Sequence, residues 1–214
     1  MSFPLLGLFG GTFDPIHSGH ITILKQLVKK ITFTNIQLIV CGQPPHRPQP
    51  IATSKDRLEM IKRAISTRSI FAINDIEVVR KEISYTIYTL QYLRNSFPNH
   101  SLCFILSTAA FADFNLWHRY TEFLTYCHLI VINRENYHLL LTEKWLKTLL
   151  RHRTEDPNDL KKFLSGKILF QQLHTYPISA TKIRSYLAKG NYSAIESMLP
   201  KSVFEYIKKH NLYR

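Results

Sequence analysis

The stretch with the strongest chemical character runs from Gly7 to His20 and reads GLFGGTFDPIHSGH. It holds four of the seven glycines in the 214-residue chain, and it joins an apolar run, Pro4 to Phe9, to a helical pattern that begins near Ile21. Glycines between a strand and a helix let backbone amides approach a ligand, and the helix start directs its positive end at an anion. The stretch therefore predicts a phosphate-binding turn. Its spacing is neither G-x-G-x-x-G nor G-x-x-x-x-G-K-[ST], which argues against hydride-cofactor and P-loop proteins.

Two histidines, His17 and His20, lie three residues apart at the start of the predicted helix. Histidines in this position can cap the helix, pack in the core or bind zinc. A zinc site needs further His, Cys or carboxylate ligands, and the flanking sequence offers only Asp14. Residue types alone therefore favour capping or packing, and they predict no metal held by the protein.

The elements that must position this turn follow from the pattern of the whole chain. Short apolar runs alternate with amphipathic stretches, which predicts parallel strands joined by right-handed helical crossovers. We therefore expect an α/β fold, a single-domain, doubly wound (Rossmann-like) parallel sheet with C-terminal helices, over residues 1–214. The predicted strands are 4–9, 36–41, 70–78, 102–106, 127–132 and 167–173. Three of the predicted helices begin after Ser18, after Thr53–Ser54 and after Ser84. Two more cover part of 109–124 and 142–152, and two C-terminal helices lie in 179–190 and 201–213.

The net charge and the cysteine content indicate which binding partners and which cell compartment to expect. Lys plus Arg number 28 and Asp plus Glu 15, a net charge of +13 that favours nucleic acid, an anionic membrane or phosphorylated small molecules. The basic residues are dispersed, and no RRM, KH, zinc-finger or arginine-rich signature is present, which argues against a nucleic-acid-binding protein. Three separated cysteines, no signal-peptide pattern and no apolar run of about 20 residues predict a cytoplasmic protein that does not span a membrane. Cys41, Cys103 and Cys127 are expected to be reduced thiols in the core.

The sequence GGTFDPIHSGH resembles the signature of the nucleotidylyltransferases with an H-x-G-H motif, in the form found in nicotinate-nucleotide adenylyltransferases. The resemblance covers nearly the whole chain, except for residues 144–167. It continues in PPHR (44–47), RLEMIKRAI (57–65), SYTIYTL (84–90), LWHRYTEFL (116–124), INRENY (132–137), ISATKIR (178–184) and VFEYIKKHNLY (203–213).

This resemblance implies that AMP passes from ATP to the 5′-phosphate of nicotinate mononucleotide, which releases pyrophosphate and forms deamido-NAD in NAD biosynthesis. The attacking phosphate is already ionised near pH 7. A direct in-line attack therefore needs positioning and electrostatic stabilisation, but neither a general base nor a covalent intermediate. Mg²⁺ would be carried by the ATP phosphates and water, so that no carboxylate cluster is needed. The implied partners are the two substrates, without nucleic acid or membrane.

The resemblance also implies roles for individual residues. His17 and His20 would contact the ATP phosphates and stabilise the transition state as the catalytic pair. Thr86 and nearby backbone amides would receive the nicotinate carboxylate, while the Trp117 indole stacks on the pyridine ring. The implied ATP-binding residues are Gly10, Gly11, Thr12, His46, Ser179, Thr181 and Arg184, and the implied mononucleotide-binding residues are Tyr85, Thr86, Trp117, His118 and Arg134.

Other interpretations of these residues stay open. Ser179 and Thr181 are ordinary N-cap residues, and Trp117 is typical of an amphipathic core segment in which Leu116 and Phe114 are buried. The alternative functions are a nicotinamide-mononucleotide adenylyltransferase or another adenylyltransferase of the same fold. A weakly active relative and a non-enzymatic nucleic-acid-binding protein are further alternatives.

The chain departs from the family pattern at two places. Ser107-Thr108-Ala109 stands where the family has G-x-D, so a carboxylate expected near the nucleotide is missing. Asp113 is a candidate substitute, because on a helix it would lie one turn beyond Ala109 on the same face. Ala180 replaces the second serine of the family's ISST sequence, which removes one hydroxyl.

Overall fold

The structure of this protein is a computed structural model, and it describes residues 2–45, 48–65, 70–133 and 144–214. Within these ranges seven strands form one sheet, in which every pairing is parallel and the order is β3-β2-β1-β4-β5-β7-β6. This confirms the doubly wound α/β class. The strands are β1 (Leu5–Gly11), β2 (Asn35–Val40), β3 (Phe71–Asn74), β4 (Ser101–Ser107), β5 (His128–Asn133), β6 (Arg153–Thr154) and β7 (Ile168–Gln172).

Helices follow most of the strands and cover both faces of the sheet. In the described ranges they are α1 (Ser18–Lys30), α2 (Ser54–Ala64), α3 (Ile76–Arg80), α4 (Thr86–Ser96), α5 (Thr108–Ala112), α6 (Phe123–Tyr126), α7 (Lys144–Leu150), α8 (Asp159–Lys162), α9 (Ala180–Ala188) and α10 (Lys201–Lys209). Single 3₁₀ turns occur at Phe114–Leu116, Tyr120–Glu122 and Glu196–Met198.

The buried side chains divide between two cores because neighbouring residues of a strand point to opposite faces. In β4, Cys103 and Ile105 join the core formed with α1, α2, α9 and α10. Leu102, Phe104 and Leu106 join the other, formed with α4 to α7. None of the helices in the described ranges combines the length and the hydropathy that a transmembrane span requires.

The strand order places a crevice beside β1. The chain moves outward from β1 through β2 and β3 on one side, and β4 pairs with the opposite side of β1. In open parallel sheets a ligand binds at the carboxyl ends of the strands where the order reverses in this way. The turn after β1 and the segment after β4 both start at this point.

Several predicted elements differ from those observed. The run 70–78 is not one strand, because β3 ends at Asn74, whose side-chain oxygen accepts a hydrogen bond from the Ile76 N–H and starts a turn into α3. The predicted helix in 109–124 is broken into α5, two 3₁₀ turns and α6. The N-cap of α1 is His17 and not Ser18. Cys41 is half-buried, whereas Cys103 and Cys127 are buried thiols as predicted.

Candidate active site

The buried carboxylate of Asp14 anchors the turn after β1. Oδ2 accepts from the Ile51 N–H at 2.9 Å, and Oδ1 accepts from the Ala52 N–H at 3.1 Å and from the Tyr213 hydroxyl at 2.8 Å. From α9, Arg184 donates to the backbone carbonyl of Asp14 at 2.7 Å. One residue thus ties the turn to residues 51 and 52 before α2, to α9 and to the segment after α10.

A buried arginine also holds this turn through hydrogen bonds. Arg57, in α2, is only 1% exposed. Its Nη1 donates to the carbonyls of Thr12 (2.8 Å) and Cys41 (2.7 Å), and its Nη2 donates to the Ser54 hydroxyl at 3.1 Å. Burial lowers the pKa of Arg57, but a guanidinium in a protein stays protonated at neutral pH. The turn after β1 and the loop after β2 are therefore held at a fixed spacing by one charged group.

His17 and His20 lie face to face at the start of α1. Their ring centroids are 3.7 Å apart with an interplanar angle of 17°, and the His20 and Phe13 rings lie edge to face with their centroids 5.3 Å apart. The His17 N–H donates to His20 Nδ1 at 3.3 Å, whereas the buried Nδ1 of His17 has no hydrogen-bond partner. Because Nδ1 of His20 accepts, the neutral ring carries its proton on Nε2.

Both imidazoles are neutral at physiological pH. Burial lowers the pKa of His17 to about 4, although a backbone hydrogen bond opposes the shift. Burial also lowers the pKa of His20 well below its usual range, and the neighbouring His17 lowers it further. Each ring can therefore offer one N–H to an anion at the positive end of a thirteen-residue helix.

The start of α9 lies beside the start of α1. A Cβ placed on Gly19 would lie 3.6 Å from Cβ of Ile178, the residue before Ser179. Ser179 is the N-cap of α9 and accepts from the Lys182 N–H at 3.3 Å, as the capping interpretation predicted. Thr181 is exposed in the first turn of α9. Two helix N-termini therefore meet at one place, which favours binding of a polyanion.

An aromatic group lies on the other side of the crevice. Trp117 is half-buried and packs its ring against Phe104 of β4 and Phe114, with centroids 6.0 and 5.5 Å apart. A Cβ on Gly10 would lie 3.5 Å from the same Phe104 ring, so Phe104 links this group to the end of β1. Phe114 is buried as predicted, but Leu116 is 70% exposed, which corrects the expectation that both are buried. The 3₁₀ turn at 114–116 presents Leu116 to solvent.

Tyr85 and His118, which follows Trp117 in the chain, pack against each other. Their ring centroids are 4.4 Å apart, and the Tyr88 hydroxyl lies 3.2 Å from His118 Nε2. Tyr85 is the N-cap of α4, so Thr86 occupies the first position of that helix. Tyr85, Thr86 and His118 therefore lie at one helix start, at a place where backbone amides are free of helical bonds.

The segment after β4 shows where the missing carboxylate would have been. Ala109 is exposed in the short helix α5, and the Ser107 side chain caps that helix by accepting from the Ala110 N–H at 3.2 Å. The helix ends at Ala112, so Asp113 is its C-cap and is exposed. Asp113 therefore does not continue the helical face of Ala109 as the helix prediction assumed.

Two predicted site residues, His46 and Arg134, lie outside the residues that the structure describes. In the described ranges, no group of three or more His, Cys, Asp or Glu side chains could hold a metal ion. Asp14 and Arg57 were not predicted as anchoring residues. The burial of two charged side chains beside the glycine-rich turn is a tertiary feature, although Asp14 lies only three residues after Gly11 in the sequence.

The chain is similar in sequence to proteins of a known family. A family model described as cytidylyltransferase-like matches residues 8–186. The chain is 56% identical to a "probable nicotinate-nucleotide adenylyltransferase" of Coxiella burnetii, over 99% of both chains. It is 38% identical to a protein of the same name from Citrobacter koseri, over 98% of this chain and 99% of the relative.

Solved structures share the fold at lower identity. A nicotinic acid mononucleotide adenylyltransferase of Plasmodium falciparum, complexed with NaAD, aligns with a TM-score of 0.76 and 19% identity, over 98% of this chain and 97% of that one. A putative nicotinate-nucleotide adenylyltransferase from Vibrio parahaemolyticus aligns with a TM-score of 0.65 and 15% identity, over 99% and 96% of the two chains.

Proposed function

Because the chain belongs to the nicotinate-nucleotide adenylyltransferases of the cytidylyltransferase-like family, we propose that His17 and His20 are its catalytic pair. The enzyme transfers AMP from ATP to nicotinate mononucleotide, releases pyrophosphate and forms deamido-NAD. The observation that carries the assignment of the pair is their stacking at the start of α1, beside the glycine-rich turn at the strand-order reversal. We further propose that residues 1–214 act as one nucleotidylyltransferase domain.

The chemistry needs little from the protein besides positioning and charge. The 5′-phosphate of the mononucleotide attacks the α-phosphorus of ATP, the bond from that phosphorus to the bridging oxygen breaks, and pyrophosphate leaves. The nucleophile is already ionised, so neither imidazole has to remove a proton. The two neutral rings donate N–H groups to phosphate oxygens, on which charge accumulates in the transition state.

ATP would carry a divalent metal ion on its phosphates, and we propose that this ion is Mg²⁺. The oxygens of Asp14 are engaged by backbone N–H groups and by Tyr213, so this carboxylate anchors the turn and leaves the ion to phosphate oxygens and water. The residues proposed to bind ATP are Gly10, Gly11, Thr12, His46, Ser179, Thr181 and Arg184.

The second substrate is proposed to bind beside α4. The first turn of that helix offers backbone N–H groups and the Thr86 hydroxyl, a donor set that suits a carboxylate. The half-buried Trp117 offers an aromatic surface for the pyridine ring. The residues proposed to bind the mononucleotide are Tyr85, Thr86, Trp117, His118 and Arg134.

Pyrophosphate release with each of the two mononucleotides tests the proposed pocket. The carboxamide of nicotinamide mononucleotide places an NH₂ group where an acceptor is needed, so the donors would be left unpaired. We expect kcat/KM for nicotinate mononucleotide to be higher by ~10²-fold or more. Thr86→Val should reduce this preference, whereas Thr86→Ser, which keeps the hydroxyl, should retain most of it. Equal use of the two mononucleotides by the wild type would favour a nicotinamide-mononucleotide adenylyltransferase instead.

A further inference from the structure

Phe13 has an unusual backbone conformation for a bulky residue. Its φ of 50° lies in the left-handed region, which glycine adopts without strain and large side chains rarely adopt. The carbonyls on both sides of it are held by charged donors. Arg57 donates to the Thr12 carbonyl at 2.8 Å. Arg184 donates to the Asp14 carbonyl at 2.7 Å. The turn thus imposes this conformation on position 13, and a phenylalanine where glycine would fit indicates a role for the side chain.

The Phe13 ring is buried against the second histidine of the pair. Phe13 is only 3% exposed, and its ring centroid lies 5.3 Å from that of His20 with an interplanar angle of 79°. A Cβ placed on Gly11 would lie 2.8 Å from two carbons of the Phe13 ring, so the ring occupies the space that a side chain at position 11 would need. Glycine at 11 and phenylalanine at 13 therefore fit together beside the imidazole.

Ring packing determines how the His20 imidazole is oriented. His17 stacks on it with centroids 3.7 Å apart, and the His17 N–H donates to His20 Nδ1 at 3.3 Å. This hydrogen bond is longer than most N–H donor bonds in proteins, so the ring contacts carry more of the orientation. Phe9 lies farther away, with its centroid at 6.0 Å. Among the described residues, Phe13 is the nearest aromatic neighbour of His20 outside the pair.

We propose that Phe13 is a positioning residue for adenylyl transfer, whose ring holds the His20 imidazole in the orientation in which Nε2–H meets a phosphate oxygen of the transition state. The inference rests on the proposed function, which assigns His20 to the catalytic pair. A donor stabilises the transition state fully only when it is already oriented, and a small misplacement reduces its effect. Phe13 also contributes to the burial that lowers the pKa of His20. It acts through His20 and is assigned no contact with a substrate.

Phe13→Leu tests the inference because it keeps a buried apolar side chain and removes the ring. Pyrophosphate release at saturating substrates should show kcat lowered by ~10-fold or more, which is less than the ~10²-fold loss expected without His20. The KM values should stay close to those of the wild type, because the lost interaction belongs to the transition state. In NMR titrations of histidine-labelled protein, the pKa of His20 should rise toward its usual range as water reaches the ring.

Phe33→Leu is the matched control. Phe33 is buried in the same core as Phe13, so its replacement by leucine also removes a core ring. This variant should lose stability but keep the wild-type kcat and the wild-type pKa of His20.

A double-variant cycle separates positioning from packing. If Phe13 acts through His20, Phe13→Leu should lower kcat by ~10-fold in the wild type and by a factor near one in His20→Ala. Equal factors in the two backgrounds would overturn the inference. A Phe13→Leu variant that melts at a lower temperature but keeps the wild-type kcat would show a structural role alone and overturn it as well.

Phe13→Gly covers the case in which Phe13→Leu does not fold, since glycine removes the ring and suits the left-handed backbone. It should show the same loss of kcat and the same factor near one in the His20→Ala background, and a wild-type kcat would again overturn the inference. Wild-type turnover in His20→Ala would instead refute the proposed catalytic pair, whatever the Phe13 variants show.

Discussion

Replacing His20 by Asn separates two roles that the structure gives to this ring. Nδ1 accepts from the His17 N–H at the start of α1. Among the described residues, no protein group accepts from the Nε2–H, so it can donate to a phosphate oxygen. In Asn the side-chain oxygen is bonded to Cγ, as Nδ1 is in His, so it can accept the same N–H. Asn has no counterpart of Nε2. His20→Asn should therefore keep the helix cap and lose the phosphate contact, whereas His20→Ala should lose both.

The two losses differ in size and in the measurement that detects them. An unpaired N–H at a helix start costs ~1 kcal/mol of stability, which lowers Tm by about 2–4 °C for a chain of this length. Loss of a preorganised donor to the transition state costs ~10²-fold in turnover, or about 3 kcal/mol. We expect His20→Ala to show both effects and His20→Asn to show the second alone. His17→Ala should also lower turnover by ~10²-fold or more.

Pyrophosphate release at saturating concentrations of both substrates measures turnover, and thermal unfolding measures the cap. If His20→Asn has both the turnover and the Tm of the wild type, the ring acts only as a cap and the proposed catalytic role is wrong. Near-wild-type turnover in folded His20→Ala would lead to the same conclusion.

Three further predictions concern acid stability, the missing carboxylate and the anchor of the turn. Burial lowers the pKa of His128 from 6.5 to about 4, so the unfolded chain binds the extra proton between these values and stability falls as the pH drops through them. Urea titrations at about pH 7 and about pH 5 should therefore show that the unfolding free energy falls by ~2 kcal/mol less in His128→Asn than in the wild type. Equal losses would contradict the assignment of the lowered pKa to His128. Ala109→Asp should lower the KM for ATP several-fold by supplying a charge-assisted hydrogen bond, and Asp113→Ala should raise it only if Asp113 compensates; an unchanged or higher KM in Ala109→Asp would show that the local geometry has diverged. Tyr213→Phe removes the O–H donor to Asp14 and should lower the unfolding free energy by about 1.5–3 kcal/mol in urea titrations, and unchanged stability would argue against the anchor.

The alternation of apolar and amphipathic segments was sufficient to predict the class of the fold, because parallel strands buried on both faces have a distinct local composition. It was not sufficient where local and tertiary preferences compete. The apolar residues of 70–78 fit a strand, yet the Asn74 side chain turns the chain into α3. The region 109–124 fits a helix, yet Arg119 adopts a left-handed φ of 54° and the segment is irregular.

The candidate site divides in the same way. The glycine-rich turn was predicted because its glycines and spacing are local features, whereas the role of its histidine pair was implied by the family resemblance. The supporting residues were not predicted, since Arg57 reaches a carbonyl 45 residues away and Asp14 accepts from a hydroxyl 199 residues away. Neither distance is encoded in the residues that flank them. Burial of a charged side chain is decided by the assembled fold.

The bond between Asp14 and Tyr213 also sets an order of events during synthesis. The Ile51 N–H lies 37 residues from Asp14 and the Tyr213 hydroxyl 199 residues from it, so closing the longer loop costs about 1.5 kcal/mol more in chain entropy. On a translating ribosome, the Asp14 carboxylate can bind its amide donors early, whereas the Tyr213 hydroxyl becomes available only after residue 213 has emerged. The nascent chain thus completes the anchor of its glycine-rich turn only after all seven strands described above have been made.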